Sequence, residues 1–187
     1  MPEIIDILLS RRSIPQFTPE PVDRGSLVLL LKAAMAAPTA CNSQPWEFIV
    51  VTEEEMLDCI RARLPFARYN NPAAIVVCGN PRIAHNTAAR EYWVMDCSTA
   101  TENILIAAAG LGLGAVWIGI HPVVPFVRAV REALDIPEDV TPLGMMHVGY
   151  AAEEKPARTQ YDKHKVYWQK YEKRKRRAKI KNAKLLP

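Results

Sequence analysis

Several familiar layouts of catalytic chemistry are missing from this chain. It holds no GxSxG turn, no HExxH pair and no GxxxxGK[ST] loop, so hydrolase, zinc-peptidase and P-loop readings have nothing to rest on. Four histidines occur, His85, His121, His147 and His164, and none stands at metal-ligand spacing from another. Cys41, Cys59, Cys78 and Cys97 lie 18 or 19 residues apart without a CxxC pair, which argues against a thiolate metal site or a dithiol redox motif. The spacing is not a repeat, because the flanking residues do not recur. Cys59, Cys78 and Cys97 sit in apolar patterns and are expected to be reduced thiols acting as small core residues. No run approaches the ~20 apolar residues of a membrane helix, and Met1-Pro-Glu3 does not begin a signal-peptide layout. The expectation is a soluble cytoplasmic protein with no membrane partner.

What is present suits one folded unit. With 187 residues, 49% of them hydrophobic, the chain can build a single sizeable core. The net charge of +4 conceals a division: residues 163–187 hold eleven Lys or Arg against one acid, Glu172, so the remainder of the chain is acidic. We therefore expect a domain over residues 1–168 and a basic tail over 169–187. The run Lys173-Arg-Lys-Arg-Arg177, with Tyr167, Trp168 and Tyr171 nearby, could bind nucleic acid through counterion release. The favoured expectation is a solvated helix or chain end whose Tyr167 and Trp168 pack on a dimer.

Hydrophobic spacing divides the domain into alternating elements. Ile4, Ile5, Leu8 and Leu9 predict a short amphipathic helix ending at Arg11-Arg12-Ser13. Prolines 15, 19 and 21 hold the next stretch extended. Asp23 caps a predicted helix over Arg24 to Ala36, which Pro38 stops. Strands are predicted at Trp46 to Val51, Ala74 to Cys78, Ala115 to Ile120 and Leu143 to Tyr150. Thr52 to Glu55 reads as a capping box for a helix to about Leu64, and Pro125 to Leu134 as another helix. The longest helix, from about Glu91 to Ala109 with Gly110 as its C-cap, is apolar on most of its circumference. Such a helix needs cover on all sides, which in a small domain points to a sheet on one side and a second copy of the chain on the other. The class is α+β, a mixed sheet flanked by helices, in a homodimer.

Three stretches carry possible chemistry. Gly110-Leu-Gly-Leu-Gly114 looks like a dinucleotide fingerprint, but that turn follows a strand and opens a helix, whereas here a helix precedes and a strand follows. It is expected to be a helix cap and a turn. Arg11-Arg12-Ser13 offers two guanidiniums and a hydroxyl to a phosphate, although Arg pairs at helix ends also serve simply to complement the dipole. Pro38-Thr-Ala-Cys-Asn-Ser-Gln-Pro-Trp46 gathers uncharged donors and acceptors, Thr39, Asn42, Ser43 and Gln44, before an aromatic and a buried strand. That set suits a planar heterocycle with amide edges, and it also suits an ordinary turn.

Taken in order, these residues resemble the nitroreductase superfamily. An early Arg-Arg-Ser, then a loop like Ala37-Pro-Thr-Ala-Cys-Asn-Ser-Gln-Pro-Trp-Glu-Phe48 with Thr39 for the family's usual Ser, are the first two motifs. Met95 to Gly114 followed by Val116-Trp-Ile-Gly119 is similar to the family's central helix and next strand, and Val148-Gly-Tyr150 with Lys155-Pro-Ala-Arg158 to its C-terminal phosphate-side segment. The match spans about residues 1 to 168. The resemblance implies an intertwined homodimer with FMN at each of two shared sites. Arg11, Arg12, Ser13, Lys155 and Arg158 would hold the phosphate and ribityl chain. Pro38, Thr39, Asn42 and Gln44 would frame the isoalloxazine from the other subunit, and Trp117, Ile118 and Gly119 would run along the ring.

It also implies the reaction: NADH or NADPH reduces FMN, and a nitroaromatic, quinone or similar acceptor is then reduced in a ping-pong cycle, with no catalytic side chain required because the flavin carries the chemistry. Alternatives on the same fold are a dehalogenase, a flavin-degrading enzyme, or a flavin-binding module or sensor with little turnover. One position departs from the family pattern. Arg-Arg-Ser is often followed by x-Arg, a cation near the pyrimidine edge of the flavin, and here that position is Pro15.

Overall fold

Short aliphatic and β-branched runs form the strands, and longer Leu- and Ala-rich stretches form the helices. The computed structural model describes residues 3–171; the basic run Lys173–Arg177 and the tail around it lie outside the described residues. The elements in chain order are α1 (Ile4–Ser10), α2 (Arg24–Met35), β1 (Trp46–Val51), α3 (Glu54–Arg63), β2 (Ala73–Gly79), α4 (Thr87–Glu91), α5 (Trp93–Gly110), β3 (Leu113–Gly119), α6 (Val124–Ala133) and β4 (Thr141–Tyr150). The strands form one sheet in the order β1-β2-β4-β3, each neighbouring pair antiparallel. A second direction enters only through a parallel bridge between Ser13 and Ala115. The α+β class expected from the sequence is the class of the fold.

Alternation along the strands sends side chains to two cores, one on each face of the sheet. Ile75, Val77, Met146, Val148, Leu113 and Ala115 face Leu27, Leu30 and Ala34 of α2 and Cys97, Ala100, Ile104 and Ala108 of α5. On the opposite face Ala74, Val76, Cys78, Met145, Val116 and Ile118 meet Leu57 and Ile60 of α3 and Val130 of α6. Covered from both sides, β2 is buried along its whole length, which is why Ala73 to Gly79 reads as an unbroken apolar run. Cys78 and Cys97 are buried as expected and Cys59 half-buried. None of the described helices is long and apolar enough to cross a membrane.

Local rules misplace four details. The expected capping box does not form: α3 starts at Glu54 with Glu53 as N-cap, and no side chain caps it. The long helix breaks at Tyr92 into α4 and α5, where Asn86 caps the first piece by accepting from Ala89 N–H. Gly110 is the last residue of α5, not its cap; Gly112 takes the positive φ of 73° that reverses the chain. β4 begins at Thr141, with Pro142 inside it, because a register shift opposite Val77 and Cys78 relieves Pro142 of a regular ladder position. The sides of α5 are unequal. Cys97, Ala100, Ile104 and Ala108 are buried, whereas Met95 is 62% exposed.

Candidate functional site

The basic residues at either end of the domain meet beside β3. Ala152 N–H donates to the Gln16 carbonyl at 3.0 Å and Arg158 N–H to that of Leu9 at 3.2 Å. Between them Lys155 Nζ donates to the Ser13 carbonyl at 2.8 Å, and the Arg12 guanidinium donates to the Pro156 carbonyl. This clasp borders a cleft of about 200 Å³ lined by Ser10, Arg11, Arg12, Gly112, Gly114 and Lys155, among others. A Cβ on Gly114 would lie 2.9 Å from Ile14, so glycine lets the Ser13–Ile14 segment lie against β3.

Two acids temper the charge: Glu102 lies 3.5 Å from Arg11 and Glu153 lies 3.2 Å from Lys155. Three cations against two carboxylates leave the cleft positive. A guanidinium has five N–H donors, so the contacts named for Arg11 and Arg12 leave donors for an oxyanion. The donor set fits a phosphate. Ser13 and Arg158 are exposed and reach the clasp through their main chains.

The Pro38–Gln44 loop lies against the other end of α5. Thr39 Oγ1 accepts from Gln44 N–H at 3.1 Å, and Gln44 Nε2 donates to Asn42 Oδ1 at 3.2 Å. Cys41, Asn42 and Gln44 have φ of 53°, 52° and 50°, a left-handed conformation costly for residues with a Cβ. The loop is moored from below: Ala40 N–H donates to Asp96 Oδ1 at 3.0 Å, and Thr99 Oγ1, which donates to the Asp96 carbonyl at 2.8 Å, lies 3.4 Å from the Pro38 carbonyl. Asn42 and Gln44 are exposed, with Asn42 Nδ2 and Gln44 Oε1 outside the loop's internal bonds. Asp96 and Thr99 escaped the sequence reading, although a single acid in the otherwise uncharged stretch Trp93 to Thr101 was a visible signal.

Trp117 and Gly119 are exposed, while Ile118 points into the opposite core. β3 is an edge strand of the sheet. Ala115 turns its carbonyl outward to Ile14 N–H at 3.0 Å, so by alternation Trp117 and Gly119 present N–H and C=O on that edge and Ile118 presents its own to β4. Beyond its chain neighbours, no atom of the described residues lies within 4 Å of a Cβ built on Gly119. The indole of Trp117 lies over Gly144, where an added Cβ would come 2.3 Å from Nε1. These features suit the approach of a flat, hydrogen-bonding ring to the strand edge.

The two halves lie far apart within one chain. Asp96 and Ala109 stand 13 steps apart along α5, roughly 20 Å at the helical rise. Three buried groups are unsuited to acid-base work: burial pushes the Cys78 and Cys97 thiols up to about 12. Burial, with the Arg61 charge, holds His147 down at about 3. A roomier groove of about 570 Å³ beside α6 mixes Arg128 and Arg131 with Glu132 and Glu138, and none of the residues expected at the site lines it.

Comparison with known proteins identifies the family. A protein of Archaeoglobus fulgidus with the provisional name NADH dehydrogenase/NAD(P)H nitroreductase is 41% identical over 157 residues, 83% of this chain and 89% of that protein. A crystal structure from Parabacteroides distasonis, under the same provisional name, superposes with a TM-score of 0.85 at 34% identity, covering 91% of this chain and all of that one. An FMN-dependent nitroreductase from Clostridium difficile R20291 gives a TM-score of 0.80 at 31% identity, covering 89% and 99%. The model of the nitroreductase family matches residues 8–71 and 65–150, and the chain belongs to that family.

Proposed function

We propose that this chain is an FMN-dependent oxidoreductase that takes electrons from NADH or NADPH and delivers them to a nitroaromatic, quinone or similarly electron-poor acceptor. The observation that carries this reading is the pairing of a cationic cleft at Arg11, Arg12 and Lys155 with an uncharged donor loop at Thr39, Asn42 and Gln44. The first suits a phosphate, the second the amide edge of a heterocycle. The C. difficile relative is named as FMN-dependent, and the A. fulgidus relative is named for NADH and NAD(P)H.

The chemistry supplied by bound FMN is two-electron transfer from a reduced nicotinamide to the acceptor, the two substrates visiting one face in turn. Everything else falls to the chain. Arg11, Arg12 and Lys155 hold the phosphate, with Ser13 and Arg158 on the ribityl side. Trp117 and Gly119 offer a flat wall and an outward N–H on the strand edge, with Ile118 anchoring the strand beneath them. Pro38, Thr39, Asn42 and Gln44 orient the ring from the opposite side.

The roughly 20 Å along α5 between the halves favours a site closed by two copies of the chain. The exposed apolar surface supports the same reading. Ile4, Ile5, Leu8 and Leu9 of α1 are 41–69% exposed, and Val28, Leu29 and Met35 of α2 are 40–53% exposed. Exposed apolar surfaces of this kind are covered in an obligate homodimer. Residues 1–168 form the flavin-binding unit in this proposal, with 169–187 as an appended basic segment. The test is steady-state oxidation of NADH and of NADPH with a quinone present. Repeated turnover of at least one donor is expected; flavin reduction that stops at one equivalent per site would refute the enzyme.

A further inference from the structure

Asp96 is 5% exposed, in the first turn of α5. An ionised carboxylate so placed is expensive unless its oxygens are bonded. The helix N-terminus offsets part of that expense, and Ala40 N–H, at 3.0 Å from Oδ1, offsets another part. Oδ2 has no partner among the described residues. As a contribution to the core, an apolar side chain would serve better.

What Asp96 does hold is the loop. Ala40 is 56 residues away in sequence, and Asp96 takes its N–H just before the chain enters three left-handed residues. Thr99, one turn further along α5, gives its one hydroxyl hydrogen to the Asp96 carbonyl at 2.8 Å and lies 3.4 Å from the Pro38 carbonyl, so the Ala40–Asp96 bond is the firm link between helix and loop. A loop with that backbone strain keeps its shape only if its surroundings over-determine it. The loop's own bonds are exposed ones, between Gln44 and Thr39 and between Gln44 and Asn42. The Ala40–Asp96 bond is partly buried and ends on a charged acceptor, and of these contacts it is the one that water competes with least.

We propose that Asp96 is a positioning residue for the flavin site, holding Thr39, Asn42 and Gln44 in ligand-receiving geometry through the N–H of Ala40. The inference rests on the FMN reading above. No proton or electron passes through Asp96.

The test compares the full-length wild type with Asp96→Asn, which keeps an oxygen for Ala40 N–H, and with Asp96→Leu, which keeps the volume but removes the acceptor. Asp96→Ala removes the acceptor without adding bulk and decides the matter should Asp96→Leu not fold. The readouts are FMN affinity by flavin-fluorescence titration, the shape of the bound flavin's absorption band, and hydrogen exchange of residues 39–44 without FMN. Loss of the bond to the carboxylate should weaken FMN about tenfold or more in Asp96→Leu and Asp96→Ala, with faster loop exchange and an altered band. Asp96→Asn should recover most of the affinity and the wild-type band. FMN affinity and loop exchange unchanged in Asp96→Leu or Asp96→Ala would overturn the role of Asp96 and leave the FMN reading standing. A wild type that binds no FMN would overturn both.

Discussion

Replacing His147 with leucine should remove a specific part of the protein's sensitivity to acid. His147 sits on β4 between Ala74 of β2 and Val116 of β3, 1% exposed, with its ring 5.4 Å from that of Tyr69 at 85°. Neither ring nitrogen has a hydrogen-bond partner among the described residues. Burial, with the positive charge of Arg61, lowers its pKa from 6.5 to about 3. Between those values the unfolded chain binds a proton that the folded chain refuses. Stability is therefore held above pH 6.5, falls as pH drops through that value, and stops falling near 3. At about 1.4 kcal/mol per pH unit, moving from pH 7 to about pH 4.5 removes roughly 2–3 kcal/mol through this one group. Urea unfolding of the flavin-free wild type and of His147→Leu at both pH values isolates it, since the other titrating groups are shared. The variant should lose roughly 2–3 kcal/mol less than wild type, and at neutral pH it should be within about 1.5 kcal/mol of wild type or more stable, because a similar volume replaces two unpartnered nitrogens. Equal losses in the two proteins would show that the folded state accepts the proton, and the reasoning would fail.

Other substitutions probe the site. Arg12→Leu should raise the Kd for FMN about 10–100-fold while changing that for riboflavin little, because riboflavin lacks the phosphate; parallel fluorescence titrations read the difference. Gly144→Ala places a Cβ 2.3 Å from Trp117 Nε1 and 3.0 Å from the Ile118 carbonyl. It should displace the indole, shift tryptophan emission and cost about 1–3 kcal/mol in thermal unfolding. Pro15→Arg should make the flavin midpoint more positive in a redox titration, because a cation near the pyrimidine edge favours the reduced state; equal midpoints would remove that idea.

Much of this arrangement was legible before any coordinates. The β-branched run Ala74 to Cys78 was readable as a strand, and the glycines from 110 to 114 followed a helix, which argued against a dinucleotide turn. Where two local rules competed, the reading slipped. Thr52 had the right chemistry to cap α3, but β1 runs through Val51 and the helix begins at Glu54, so Glu53 takes the cap position instead. The predicted last strand began at Leu143, whereas β4 takes in Thr141 and Pro142 because a bulge against β2 gives the proline a place, and a bulge is a property of two strands that neither sequence carries alone. Asp96 was hidden for the same reason: its partner Ala40 lies 56 residues upstream, and only the packing of α5 under the loop joins them. The left-handed backbone of Cys41, Asn42 and Gln44 was equally out of reach, because only Asn42 is a residue type enriched there.

The central claim is that Arg11, Arg12 and Lys155, with the loop from Pro38 to Gln44, hold FMN. Its most direct test is the absorption spectrum of the purified full-length protein, before and after addition of FMN and removal of the excess by gel filtration. A retained flavin spectrum at about one FMN per chain, bleached anaerobically by NADH or NADPH, is the predicted result. A preparation that stays colourless after incubation with FMN would contradict it.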